Sequence, residues 1–593
     1  MSKIDSDNRA LRLIVACNGV DQDDLSVISC GIRHALNAVP WARLVIADGD
    51  MTNNESPLSD GDLFKPGTPI EIRAGYADKD TVVFSGIVVR HGYKITGDNF
   101  SRLIVECRDK ACKLLLGRKS ANHVDKTDSS IIETLISDAG LTADVERTTI
   151  THKELVQYYC SDWDFMLARA EMLGLLVNVS AGTVSVKAPA VSAAVVLTLT
   201  WGNDLIELDA DIDACSQWTA VQAQGWDPAQ QALVRGAPAS PPTLNSQGDL
   251  AGATLAAVAS PPTMVLQSPA SSDSAVLDSW AKSVQLKAGL ARIRGLMKFQ
   301  GTAAALPGTL IELAGVGKRF NGHVFVSAVQ HEMVDGNWIS EAEFGLDPSW
   351  HAERPDVIAP LASGQLPGVS GLQIGVVMKL DQDPAGENRI QIKLPSLANA
   401  TEGIWARLLQ LHASNSFGAF FLPEVDDEVL VGYLNNDPSY PVVLGSLYSS
   451  KHVSPYALAA TNNIKAIVTR CKHKIEFNDE DKIITVTTPA ANKLVLNDKD
   501  KSILVQDQNG NSIKLSESGI ALDSRKDIKL TANGGITLDA INAISITSKA
   551  DVRTAGLNIS CEAQSNFTGK GSATAELSAS GQTTVKGALV MIN

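Results

Sequence analysis

The chain has 593 residues, 44% hydrophobic, 20% charged and 5% aromatic, with a formal net charge of −15. That composition excludes a broadly disordered polymer, and about 150 residues per domain sets an expectation of roughly four domains. The negative charge argues against nucleic acid or an anionic lipid surface as the main partner. The eight cysteines are scattered without a CxxC pair, which reads as reduced thiols, with no zinc-ligand spacing. From Met1 to Arg9 there is neither an apolar core nor a small-residue cleavage site. Synthesis in a cytoplasm without a cleaved leader is therefore expected. The apolar stretch around Ala188 to Trp201 contains Pro189 and is too short to cross a bilayer.

In chain order, residues 1–120 read as short strands. Leu11 to Val15, Ala42 to Ile46 and Thr81 to Phe84 are apolar and β-branched enough for sheet, and Asp48-Gly49, Asp60-Gly61 and Thr96-Gly97-Asp98 punctuate them. Ser130-Ile131-Ile132-Glu133 has capping-box spacing and predicts a helix with an apolar face of Ile131, Ile132, Leu135, Ile136 and Ala139, ended by Gly140. A second helix opens at Ser161-Asp162-Trp163-Asp164 and ends at Gly174. Its two acids suit a helix start, so they need no catalytic role. Strands resume from 181 to 365, interrupted by an exposed loop around Pro241-Pro242 and Pro261-Pro262 and by a helix from Ser274 to about Met297. Gly322 to Val326 and Val329 to Met333 read as two successive strands. Their His323 and His331 lack a third metal ligand and read as ordinary strand histidines. A Gly/Ser linker around Gly364, Gly368 and Gly371 precedes five strand-like runs, Ile374 to Leu380, Arg389 to Leu394, Ile404 to Leu411, Glu428 to Leu434 and Tyr440 to Leu447. Five short strands in this span fit a closed OB-type barrel.

The last quarter differs in kind. After Phe477 the sole aromatic is Phe567, and after Pro489 there is no proline. Ile520, Ile528, Ile536, Ile544 and Val552 recur every eight residues, as do Leu522, Leu530, Leu538 and Ile546. Each octad offers two same-side apolar residues on a short strand followed by a polar turn, a solenoid signature. One octad cannot bury its own pair, so either three octads of one chain form a coil or three chains share a prism. Missing rings and prolines suit both. The chain closes on the apolar run Leu589, Val590, Met591, Ile592 before Asn593, read either as a tip buried in an oligomer or as a blunt end that docks a cap.

Several motifs then coincide with a known family. Asn37-Ala38-Val39-Pro40-Trp41-Ala42, Tyr159-Cys160-Ser161-Asp162-Trp163-Asp164-Phe165 with Glu171 and Gly174, Val326 to His331, and Phe421-Leu422-Pro423-Glu424-Val425-Asp426-Asp427-Glu428-Val429-Leu430-Val431 stand in family order, followed by Asp437-Pro438 and Pro441 to Tyr448. In this order the chain resembles the VgrG spike family of contractile injection systems and its relatives, the tail-spike hubs of contractile phages. Asp426 stands where that family usually has glycine. The resemblance implies a mainly β fold. Hub barrel 1 with a helical insert would span 1–180, hub barrel 2 181–365, an OB-fold 371–450 and a C-terminal intertwined trimeric β-helix or β-prism needle 460–593. It implies a homotrimer whose hub mates with the hexameric inner tube and with baseplate proteins, and whose needle pierces a target membrane only transiently. Ile520, Leu522, Ile528, Leu530, Ile536, Leu538, Ile544, Ile546 and Val552 would form the trimer core. Leu589, Val590, Met591 and Ile592 would dock a PAAR-like tip protein, with effector cargo as a further partner.

Departures narrow the subtype. About two dozen residues separate Tyr448 from Lys474, too few for a lysozyme domain. No toxin is expected after Asn593, and the last histidine, His473, precedes any place for a His-x-His iron site. The lean hub resembles extracellular particles of the antifeeding-prophage and Photorhabdus virulence-cassette type more than type VI spikes, so a released particle is expected. HExxH, GxSxG and Walker patterns are absent, so neither an enzyme nor a cofactor is expected. A single-chain β-helix polysaccharide-degrading enzyme and a nucleic-acid-binding OB protein are the alternatives.

Overall fold

The computed structural model describes residues 10–76, 79–97, 100–259, 261–270, 273–397 and 403–592. Met1 to Arg9, Asp98 and Asn593, each given a reading above, lie outside the described residues. The chain divides into two units, Met1–Leu447 and Tyr448–Asn593.

The first unit is mainly β. Its two hub halves share one 13-stranded sheet, joined where Gly322–Val334 pairs with Val27–Ala35. Each half keeps a core of its own. One gathers Ile32, Leu44, Ile72, Phe84 and Leu103, the other Leu199, Met297, Phe299, Val324 and Phe344. Met333 and Trp338 of the second half complete the first half's core, and Gly301 passes so close to Trp338 that a Cβ there would lie 2.0 Å from the ring. The two strands expected over Gly322 to Met333 are one 13-residue strand with an irregularity between Val326 and Ala328. Up to Phe325 it pairs with Leu310–Ala314, and from Ala328 with Val27–Ala35. The bulge re-aims one strand to serve both halves.

The helices sharpen three expectations. The first runs Asp128–Asp138, and its N-cap is Thr127, whose hydroxyl accepts from the Ser130 amide. Ser130 lies inside the first turn and donates back to the Thr127 carbonyl, so the cap falls three residues before the expected one. The second, Asp162–Met172, is capped by Ser161, and Gly174 follows at φ +69°. The third stops at Leu290, because Ile293–Gln300 alternates inward Ile293, Met297 and Phe299 and forms a strand. The proline-bearing stretch is not merely a loop. It holds a helix, Gly252–Ala259, and leads into Met264–Gln267, which pairs in parallel with Val221–Asp227 over a small core of Val221, Ala223 and Leu277.

The family-like motifs are joints. Asn37, at φ +57°, donates its amide to Val177 O (2.7 Å) and accepts the Val177 amide on Oδ1 (2.9 Å), tying the turn to Leu176–Ser180. Ser161 donates to Asp164 (2.5 Å). Asp164 contacts His351 Nε2 at 3.2 Å, while Glu171 pairs with Lys287 and accepts the His351 amide at 2.7 Å. The helix therefore clasps both Ser274–Leu290 of the second half and the strap that leads toward the next barrel. That barrel is closed, in the order Gln373–Lys379, Ile390–Lys393, Ile404–Leu408, Pro441–Ser446, Glu428–Tyr433, around Val377, Ile392, Val429, Val431 and Val443. The five strands match the five expected runs. Asp426, in the turn before Glu428, has φ +73°. A glycine there adopts that conformation without strain.

Candidate functional site: an unpartnered apolar face

The second unit begins as an antiparallel meander of seven five-residue strands: Ile464–Val468, Lys474–Asn478, Ile483–Thr487, Lys493–Asn497, Ser502–Gln506, Ser512–Ser516 and Gly519–Asp523. Register places Ile467, Ile475, Val486, Leu494, Val505, Ile513 and Leu522 in one row across the sheet. Phe477, Ile484, Leu496, Ile503, Leu515 and Ile520 form a second row beside it. The row between them, on the opposite face, is mixed: Ala466, Glu476, Thr485, Val495, Leu504, Lys514 and Ala521. All residues of the two rows except the half-buried Leu494 are exposed. A continuous apolar strip of this length is not a monomer surface. Most of these side chains are 37–48% exposed, so covering what remains yields roughly 0.5–1.5 kcal/mol each.

The hairpin ends alternate between two turn designs. At one edge the Asp481 and Asp500 amides donate to Asn478 and Asn497 (3.1 and 2.9 Å), and Lys482 and Lys501 adopt positive φ. At the other, Thr488–Asn492 and Asp507–Asn511 side-chain pairs close the turn (3.1 and 2.8 Å), with Ala491 and Gly510 at positive φ. Each design returns after nineteen residues.

Of the expected trimer-core residues, Ile520 and Leu522 sit on the last strand of the meander, in its two rows. Ile528, Leu530, Ile536, Leu538, Ile544, Ile546 and Val552 lie beyond it, where the described residues form no strand, and all nine are more than half exposed. The expected short strands of the octads are not formed among the described residues of the single chain. Leu589, Val590, Met591 and Ile592 are likewise exposed at the end. A single-chain coil would bury the octad pairs against each other, and this chain does not.

Chemistry is sparse. Among the described residues no three His, Cys, Asp or Glu cluster as metal ligands, and no helix is long and apolar enough to cross a membrane. His331 is buried beside Ser340 (2.8 Å) and Trp338 (3.3 Å), and burial lowers its pKa to about 3. Burial raises the Cys17 and Cys30 thiols to about 11 and about 12, the inert end of thiol behaviour. Burial pushes the Asp128 carboxyl up, but Arg169 (2.6 Å) and His152 (2.7 Å) outweigh it and hold it below the usual carboxylate range. This triad, with Asp128 buried and its two partners half-buried, braces Asp128–Asp138 against Asp162–Met172.

Residues 7–335, more than half of the chain, match a family model described as Alg8 N-terminal domain. The chain belongs to that family. Residues 373–448 match the type VI secretion system/phage-baseplate injector OB domain, and residues 482–534 match the phage baseplate V C-terminal trimerisation domain. These domains in one chain make it similar to VgrG-type spike proteins. Type VI secretion system spike protein VgrG3 of Vibrio cholerae is 32% identical over 103 residues, 16% of this chain and 10% of that protein. The Actin cross-linking toxin VgrG1 of Vibrio cholerae is 26% identical over 160 residues, 26% of this chain and 14% of that protein. The chain thus matches only about a tenth to a seventh of those relatives' length. The 43 kDa tail protein of prophage MuSo2 from Shewanella oneidensis is 11% identical, with 57% of this chain and 99% of that one covered and a TM-score of 0.44. The trimerisation match lies on the meander and the start of the octads, so the 19-residue hairpin repeat belongs to the same functional element as the octad.

Proposed function

We propose that three copies of this chain form the spike at the tip of a phage-tail-like contractile injection system. The observation that carries this is the two-row apolar face, continuous over seven strands and bare in the single chain. Three such faces turned inward make a closed, dry prism in which the octad strands find ladder partners. Such a needle transmits the thrust of a contracting sheath, because every strand is cross-linked by hydrogen bonds. The spike joins the inner tube to baseplate proteins, and Leu589 to Ile592 dock a PAAR-like tip protein. It acts mechanically and needs no cofactor. The lean hub favours a particle released from the cell, carrying effector cargo. The likeness to type VI spike proteins supports a second reading, in which the same trimer arms a membrane-anchored type VI apparatus.

The native mass of the full-length protein tests the trimer. Three times 62.9 kDa is expected, and a stable single chain would overturn it. Recovery of the protein in sedimentable sheathed particles from culture fluid would separate the released from the anchored system. Retention wholly in the cell envelope would overturn the released form.

A further inference from the structure

Between the third and fourth strands of the closed barrel in chain order, Ile404–Leu408 and Glu428–Tyr433, the chain throws out an arm. The arm is ordered. Ala413–Ser414 pairs with Phe417–Gly418, Gln410 Nε2 donates to Phe421 O (3.1 Å), and the Ala419 amide donates to His412 O (2.8 Å). Yet it holds its large apolar side chains in solvent. Leu411 and Phe420 are 98% and 82% exposed, and Phe417 and Phe421 are exposed as well. From Leu409 to Asp427 there is no Lys or Arg, and the charges are Glu424, Asp426 and Asp427. Aromatic rings without cations do not fit a nucleic-acid strand.

The same barrel bares a second apolar patch. Leu372, Ile374 and Leu444 are exposed on its outer wall. In their midst Gly432 leaves a notch, since a Cβ there would meet Leu372 at 3.4 Å and Leu444 at 3.5 Å. Two different unpartnered patches on one barrel are what a closed ring requires, because each copy must offer one surface and receive the other. The adjoining trimerisation domain supplies the other copies.

We infer that the Leu411–Phe421 arm of one copy docks on the Leu372–Gly432–Leu444 patch of the next copy, closing a ring of three barrels. This rests on the trimeric reading above. The test uses the full-length chain with Cys215, Cys471 and Cys561 replaced by serine, carrying Phe420→Cys and Leu444→Cys, and a short bismaleimide. Covalent dimers and trimers are expected on a denaturing gel from the double variant and not from either single one. Absence of cross-links in a preparation whose native mass is three chains overturns the ring, as does equal cross-linking by Phe420→Cys alone, which would mean that arms meet arms. A native mass of one chain would instead sink the trimer itself. In a second measurement, the Phe420→Cys thiol in the trimer should react with a maleimide at least about tenfold more slowly than in a monomeric Ile484→Asp chain. Equal rates overturn the proposal.

Discussion

In the closed barrel of the first unit, Val429, Val431 and Val443 point inward from their strands and are fully buried. In the meander of the second, Ile484, Val486 and Leu496 alternate as strictly along theirs and remain 39%, 37% and 37% exposed. Local pattern and strand propensity are the same, and only the source of the opposing wall differs. The barrel curls until its own strands supply it. The meander stays open and leaves two apolar rows for other copies. Period-two alternation thus announces a buried face but not whose face buries it.

The largest effect that would break this contrast is a charge in the rows. Ile484→Asp puts three carboxylates into one dry layer of the trimer, where unpaired charge is strongly unfavourable. Loss of the three-chain species in native mass spectrometry is expected, with the first unit still folded by circular dichroism. Ile536→Asp, in an octad, should do the same to the distal needle. An undisturbed trimer in both variants would mean that these faces are not its core.

The converse change sits in the hub. Phe299 is fully buried, so Phe299→Ala should cost about 3–5 kcal/mol through lost packing and a residual cavity. The resulting drop in melting temperature should not depend on protein concentration, whereas melting of the needle should, because only the latter is coupled to association. A concentration-dependent hub transition would erase the distinction between a self-sufficient unit and a shared one.

How much was legible follows the same line. The five barrel strands, the Ser161 cap and the Ile131/Ile132/Leu135/Ile136 face carry local signals of alternation, capping and helical period, and the residues alone marked them. The joining of the hub halves did not, because it depends on a bulge near Ser327 that lets one strand change partners. The octad from Ile520 was visible because its interval is constant. The meander carries alternation in its residues, as in Ile483–Thr487 and Ser502–Gln506, and no constant short interval. In an antiparallel sheet the row-mates Ile467, Ile475, Val486, Leu494 and Val505 fall alternately eight and eleven residues apart. No short period survives, and the signal that finds it is the nineteen-residue return of Asn478 at Asn497 and of Thr488 at Asp507. The Phe417–Phe421 arm was missed because exposure of an aromatic cannot be read from its identity.

A pH titration sharpens the contrast at moderate size. His331 has a folded pKa of about 3 against an ordinary value of 6.5. A depressed histidine pKa means that the unfolded chain binds the proton first, so stability is whole above about pH 6.5 and falls as pH drops toward 3. At pH 5 the loss is about 2 kcal/mol from this residue. His34, also lowered by burial, adds in the same direction. Urea midpoints of the hub transition should therefore decline from pH 7 to pH 5, and His331→Gln should flatten that slope. The needle strands from Lys474 onward contain no histidine, so trimer dissociation should not share this histidine-driven decline. An equal decline in both would place the pH sensitivity elsewhere.

The smallest effect is a gain. Asp426 holds φ +73° in the turn that feeds Glu428–Tyr433. Its amide donates to Val377 O at 2.9 Å, and the Asp427 amide donates to Glu424 O at 3.1 Å. The turn is fixed by these backbone bonds and by the Asp427 carboxylate, which accepts the Glu424 amide at 2.9 Å; the side chain at 426 takes no part in those bonds. What aspartate adds is a Cβ in a left-handed conformation, a strain that glycine lacks. Asp426→Gly should raise first-unit stability by about 0.5–1 kcal/mol, less the greater freedom of glycine in the unfolded chain. Trimer mass should not change, since the turn serves the barrel's own closure and not the shared face. If the substitution instead altered association and left the barrel's melting temperature untouched, the Asp426 carboxylate would be serving a neighbouring copy, and the barrel would not be as self-contained as its buried core implies.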